Sequence, residues 1–308
     1  MQNYEIVIEA SCDLPRSIRQ KFGVCDEVIR GVIYDHDTEK LADPEFNEKD
    51  TTDYFKYVKA NVGKLATAFA TYEEFIRVVE PILKAGKDVI IFTLSGGISG
   101  TYNAFRNYKD ILSDDYPDRK IFVCDTLKFS AAAGLLAIVA AQNKANGMSV
   151  EENFKWCEEN KYCLHEIGPM DDLSFLAKSH RIKAGKAFFG SLIGVQPVAD
   201  FTTDGRSEPL GTIKGDKATN DISLKYLLKT VVDIEKQIIV ICHSGRKERA
   251  EVFKEQLLKV AQPKEIIILS VGEICGPNIG PGLCAYFYFG SKLTENRENE
   301  KKAFEEIQ

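Results

Sequence analysis

No run of about 18 consecutive apolar residues occurs anywhere in the chain, so nothing in it reads as a membrane-spanning helix. Met1 to Ala10 has neither a basic start nor a long apolar core and does not read as a signal peptide. Base is also short: 40 Lys and Arg stand against 46 Asp and Glu, a net charge of −6, which argues against nucleic acid as the main partner. The eight cysteines, Cys12, Cys25, Cys124, Cys157, Cys163, Cys242, Cys275 and Cys284, form no Cys-x-x-Cys pair. Cys124 and Cys242 lie inside apolar strand patterns, where a free thiol behaves as a small hydrophobe. The four histidines, His36, His165, His180 and His243, show no metal-ligand spacing. No internal repeat and no low-complexity linker interrupts the sequence. These absences lead to the expectation of a soluble, reduced, cytoplasmic protein without metal or cofactor.

What remains is 308 residues, 44% of them apolar, a length natural for two domains. The stretch from Lys87 to Tyr108 organises the rest. Val89 to Phe92 reads as a strand buried on both faces. Ser95-Gly96-Gly97-Ile98-Ser99-Gly100-Thr101 reads as a turn, and Tyr102, Phe105, Tyr108 and Leu112 recur at helical spacing. A strand feeding a glycine-rich turn and a helix is a common anion site, because the first helical N–H groups lack internal partners and the helix dipole is positive there. Ser99 is placed as the helix N-cap, its hydroxyl free to serve either the helix or a ligand. Two sharper motifs are absent. Gly96 to Thr101 lacks the P-loop lysine, and Gly97-Ile98-Ser99-Gly100-Thr101 has threonine where a nucleophile elbow needs its last glycine.

Taken in order, Tyr4 to Ala10 reads as a first strand, with a short helix following Ser11-Cys12-Asp13-Leu14-Pro15 as far as Phe22. Glu27 to Tyr34 reads as a second strand, Asp35 to Lys49 as loop, and Leu65 to Thr71 as a small-residue connector. Thr71-Tyr72-Glu73-Glu74 has the form of a capping box. Lys120 to Asp125 is a further buried strand and Phe129 to Ala145 an alanine-rich helix, a βαβα alternation that implies a parallel sheet covered by helices. Ser149 caps the next helix, and the pattern changes near His165 to Asp172. Beyond it, Asp171 or Asp172 starts a helix through Ala177 to Arg181, and Phe188 to Gly194 is a short apolar segment. A hairpin turns at Thr203-Asp204-Gly205, helices run over Asp216 to Ile234 and Arg246 to Val260, and strands cover Gln237 to Cys242, Ile266 to Val271 and Cys284 to Phe289. Gly276 to Gly282 reads as loop and the tail as a charged helix or a frayed end.

Several of these stretches together resemble the DegV family of bacterial fatty-acid-binding proteins. Leu94 to Tyr102 is similar to that family's Ser-Ser-Gly-Leu-Ser-Gly-Thr-Tyr signature, and Asp13-Leu14-Pro15 to the end of its N-terminal motif. Thr67 to Thr71 keeps two hydroxyls of Thr-Ser-Gln-Pro-Ser, and Asp125-Thr126 with Ala131 to Leu136 resembles its Asp-Ser strand end and small-residue helix. Leu176 to Lys186, Gln196-Pro197 with Asp204-Gly205, and Asn278 to Gly282 match its later segments in the correct order. The resemblance implies an α/β, two-domain DegV-like fold. Residues 1–165 would form a parallel-sheet α/β/α domain carrying the headgroup loops. Residues 166–308 would form an α/β domain with a mixed sheet covering the acyl-chain pocket.

It also implies a non-catalytic role: binding a long-chain fatty acid and presenting its carboxylate to a separate fatty acid kinase for acyl-phosphate formation. Thr67 and Ser99 fall on the two hydroxyls that hold the carboxylate, with Ser95 and Gly100 in the same turn. Arg181 falls near the headgroup, and Asn278 stands where the family has histidine. Asparagine can donate a hydrogen bond from its side chain but cannot carry a proton or positive charge. Other departures are Glu9-Ala10 in the first motif, Ala68 and Ala70 in the second, and Ser179-His180-Arg181 for Gly-Gly-Arg. Two alternatives stay open on the residues alone. One is a serine-dependent hydrolase or acyltransferase using Ser99 with His243 or His180 as base. The other is a carrier of a different small carboxylate or phosphate.

Overall fold

The computed structural model describes residues 3–171, 175–176, 181 and 194–308. The chain gathers into two compact units. The first is Met1–Lys49, Lys64–Lys161 and Gly272–Cys275; the second is Asp50–Gly63, Tyr162–Val271 and Gly276–Gln308.

In the first unit the chain forms β1 (Tyr4–Ile8), α1 (Arg16–Phe22), β2 (Val32–Asp35), β3 (Thr38–Leu41), β4 (Leu65–Ala68), α3 (Tyr72–Lys84), β5 (Asp88–Thr93), α4 (Thr101–Asp115), β6 (Ile121–Asp125), α5 (Ser130–Ala145) and α6 (Val150–Asn160); α2 (Thr52–Ala60) belongs to the second. β1, β5 and β6 make a parallel sheet with β5 in the centre. Successive side chains on a strand point to opposite faces, and here both sets are buried. Val7, Val89, Ile91 and Val123 pack against Phe75, Val78 and Val79 of α3 and Phe105 and Leu112 of α4. Ile6, Ile8, Ile90 and Phe92 are equally buried, and α5 packs against β1 and β5. α5 is apolar nearly all round, as a helix inside a domain must be. The layering is the α/β arrangement expected from the βαβα pattern.

Four local expectations for this unit are corrected. The single strand over 27–34 is split: Ile29 bridges Glu9, and Val32–Asp35 joins β3 and β4 in a separate antiparallel sheet. Gly31 lies at the break, where a Cβ would come 2.8 Å from the Ala68 carbonyl oxygen. The loop expected over 35–49 contains β3, whose Thr-Glu-Lys-Leu is exposed throughout and so carries no burial alternation to read. The connector at 65–71 contains β4. The capping box at Thr71 is half-formed: its hydroxyl accepts from Glu74 N–H at 3.3 Å, but Glu74 turns to Arg30 and Arg77 instead. At Ser149 both halves are present.

In the second unit the strands β7 (Leu164–Pro169), β8 (Val195–Phe201), β9 (Ser207–Lys214), β10 (Ile238–His243), β11 (Glu265–Ser270) and β12 (Cys284–Phe289) form one mixed sheet, ordered β11-β10-β12-β7-β8-β9. Only the β10–β11 pair is parallel. Helices α7 (Asp216–Thr230), α8 (Lys247–Leu258) and α10 (Glu298–Glu305) supply Tyr226, Leu227, Phe253, Leu257 and Phe304 to its core. The loop expected at 276–282 begins as a short helix, α9 (Gly276–Ile279), and the charged tail is helical, with Phe304 buried. The helix expected from Asp216 to Ile234 stops at Thr230. Most of the helix expected through Ala177 to Arg181 and of the apolar segment from Phe188 lies outside the described residues.

Candidate functional site

The C-terminal ends of β1, β5 and β6 carry the turns of the first unit, the edge at which parallel α/β sheets receive ligands. After Thr93 the chain runs through Leu94 to Gly100 before α4 begins. Ser95 is fully buried and spends its oxygens on the turn: its carbonyl accepts from Ile98 N–H at 3.2 Å and Ser99 N–H at 3.1 Å, and its hydroxyl from Gly97 N–H at 3.1 Å. Gly96 donates to Asp125 Oδ1 at 2.9 Å, and a Cβ there would lie 2.6 Å from Asp125 Oδ2. Gly96 thus lets the turn close directly onto the Asp125 side chain at the end of β6.

Ser99 is half-buried. Its Oγ accepts from the Thr101 N–H at 3.2 Å and lies 2.8 Å from Thr101 Oγ1. The N-cap position itself belongs to Gly100, one residue later than expected, and α4 has no acidic side chain in its first turn. An anion approaching that helix start meets no competing carboxylate from the helix itself. Gly100 is exposed, and the ring of Phe69 comes to 3.4 Å from where its Cβ would be. Phe69 directly follows β4, which carries the half-buried Thr67 opposite Ile33. The ring of Phe69 thus brings the end of β4 against the Ser99–Gly100 turn.

Two buried carboxylates follow β1. Glu9 accepts from Leu94 N–H at 2.9 Å and from Ser11 N–H at 3.1 Å, and the Ser11 hydroxyl also donates to it. It therefore ties the end of β1 to the first residue of the β5–α4 turn. Burial pushes its carboxyl up. Asp13 has left-handed backbone, φ 53°, and its Oδ2 accepts from the Ser130 hydroxyl at 2.5 Å. Burial, with the neighbouring Glu9 charge adding to it, raises Asp13 to about 7.

The remaining candidates belong to the second unit. Asn278, on α9, accepts at its Oδ1 from Arg181 Nη1 at 2.9 Å, so these two form a pair. His243 ends β10; its Nδ1 accepts the Arg246 N–H at 3.4 Å, just ahead of α8, and burial lowers its pKa to about 4. His180 lies outside the described residues. Among the described residues no group of three His, Cys, Asp or Glu side chains is arranged to hold a metal, and no helix is long and apolar enough to cross a membrane.

Residues 3–291 match the family model described as "Uncharacterised protein, DegV family". The chain belongs to the DegV family. A DegV domain-containing protein of Clostridium perfringens is 28% identical over 290 residues, covering 94% of this chain and 98% of that one. Among solved structures, a fatty-acid-binding DegV family protein from Thermus thermophilus matches with a TM-score of 0.81 at 21% identity, over 94% of this chain and 100% of that one. A DegV family protein from Eubacterium eligens, loaded with heptadecanoic acid, matches at 0.80 and 16% identity over the same shares. At these identities the likeness shows the DegV fold.

Within this DegV-family chain, three groups that build the turn carry little signal in the sequence. Thr101 stands two residues after Ser99, a Ser-x-Thr spacing that places two hydroxyls across a helix start. Asp125 reads only as a strand end; it accepts a local N–H from Leu127 at 3.1 Å, two residues on, and a second from Gly96, 29 residues back in the turn after β5. Glu9 stood out only as a departure from the family motif; its link to Leu94 spans 85 residues.

Proposed function

We propose that this protein binds a long-chain fatty acid, with the carboxylate held by the hydroxyls of Thr67 and Ser99 at the start of α4. It acts without catalysis of its own and presents the carboxylate to a fatty acid kinase. The observation that carries the reading is the Ser99–Gly100 turn itself: a half-buried hydroxyl at a helix start free of acidic side chains, with the Thr67-bearing strand end packed beside it through Phe69. A carboxylate taken out of water must be hydrogen-bonded to stay ionised, and hydroxyls with helix N–H groups supply such bonds. The DegV neighbours described as fatty-acid-binding, from Thermus thermophilus and Bacillus subtilis, support the same ligand class. The Ser99 hydroxyl makes its hydrogen bonds with Thr101 rather than with a base, which favours a binding role for it over a nucleophilic one.

Displacement of a fluorescent fatty acid by stearic acid tests this. Thr67→Ala and Ser99→Ala should each weaken binding about tenfold, the scale of one hydrogen bond to a charged group. Unchanged affinity in both variants would overturn the assignment of the headgroup. The kinase role predicts acyl phosphate only when this protein, a fatty acid kinase and ATP are combined.

A further inference from the structure

Thr101 is 3% exposed, yet its hydroxyl lies 2.8 Å from Ser99 Oγ while its N–H donates to the same oxygen at 3.2 Å. A serine hydroxyl has one proton to donate and two lone pairs to accept with. The Thr101 N–H fills one lone pair. The direction of the hydroxyl–hydroxyl bond decides the rest. If Thr101 donates, both lone pairs of Ser99 are filled and its proton is left for an outside acceptor. If Ser99 donates, its proton is consumed inside the turn. An ionised carboxylate is acceptor-only, so its arrival favours the first direction, and the chain Thr101 O–H to Ser99 O–H to carboxylate polarises along its length.

We propose that Thr101 is a positioning residue of the headgroup site, which by saturating the acceptor capacity of Ser99 fixes that hydroxyl as a donor and makes the site select an ionised carboxylate over a neutral headgroup. This rests on the fatty-acid reading given above. Thr101 acts through Ser99: being buried, it offers the ligand no surface of its own. A neutral alcohol can donate as well as accept, so it can pair with Ser99 in either direction and depends less on that hydroxyl being fixed as a donor, whereas the acceptor-only carboxylate gains a charge-assisted bond from it.

The test is a competition titration of stearic acid and of 1-octadecanol, matched in chain length, against a fluorescent fatty acid. It uses the wild type, Thr101→Val, Thr101→Ala and Thr101→Ser. Valine keeps the shape and the N–H and removes only the hydroxyl; alanine covers the case in which valine does not fold. The hydroxyl-free variants should bind stearic acid about tenfold more weakly, with octadecanol changed less than twofold, and Thr101→Ser should restore the wild-type preference. Equal weakening for acid and alcohol would assign Thr101 a merely structural part and overturn the proposal. So would an unchanged preference in both hydroxyl-free variants, or a serine variant that fails to restore it. A wild type that binds neither ligand would overturn the fatty-acid reading and this proposal with it. Wild-type binding with an unaltered preference in the variants would overturn this proposal alone.

Discussion

Asp13 holds a carboxyl with 4% of its surface exposed, close to a second buried carboxyl at Glu9. Its value of about 7 lies above the ordinary 3.8, so between those limits the folded chain keeps a proton that the unfolded chain has lost. Stability then falls as pH rises from about 4 to 7 and levels off above, with roughly 4 kcal/mol at stake for a rise of this size. Glu9, also raised by burial, adds in the same direction. Asn in place of Asp13 keeps an oxygen for the Ser130 hydroxyl and abolishes the titration. Urea unfolding at pH 5 and pH 8 should show the wild type losing more stability across that interval than Asp13→Asn. Parallel behaviour of the two proteins would show that Asp13 is ionised throughout. Residues of this kind resist reading from sequence, because nothing in a strand-end Glu9 or a turn-forming Asp13 tells of burial until Leu94 and Ser130 are seen against them.

Elements whose sequence alternates or repeats were legible; elements made by other means were not. Val89 to Phe92 and the alanine-rich stretch before Ala145 declare themselves through composition, because both faces of the strand and nearly all of α5 are buried. β3 and β4 are short, small-residue or exposed, and exist because β2 pairs with both of them. The turn after β5 was read from its glycines and serines, and the N-cap moved by one residue because the Ser99 hydroxyl serves the first helical N–H from just outside. Of the two hydroxyls proposed for the carboxylate, Ser99 was legible from its place in the turn before α4, but Thr67 only through the family motif, because no periodicity marks it. α5 also carries a test of packing. A Cβ on Gly134 would lie 2.4 Å from the Cys12 carbonyl oxygen and 2.7 Å from the Leu14 side chain. Gly134→Ala gains about 1 kcal/mol of helix propensity, but backbone must shift to admit it, at a cost of about 1–3 kcal/mol. Chemical denaturation should show net destabilisation. A variant more stable than the wild type would mean that α5 moves away from Cys12 freely.

On the scale of the whole molecule, two units of different sheet type carry one family signature. The first is built on a parallel three-stranded sheet, the second on a six-stranded mixed sheet whose core includes a fully buried His165–Asp200 pair at 2.6 Å. The match to the DegV family model runs through both, from residue 3 to residue 291. The order of motifs along the chain was legible because each lies at a strand end or turn with its own glycine, proline or hydroxyl signal. The bonding between them was not, because it joins positions far apart in sequence. The central claim is that a fatty acid is this protein's ligand and that its carboxylate meets Ser99. Mass spectrometry of an organic extract of the purified protein, with Ser99→Ala alongside, tests it most directly. Near-stoichiometric long-chain fatty acid is expected in the wild type and clearly less in the variant. No lipid in either protein, even after exposure to added fatty acids, would contradict it.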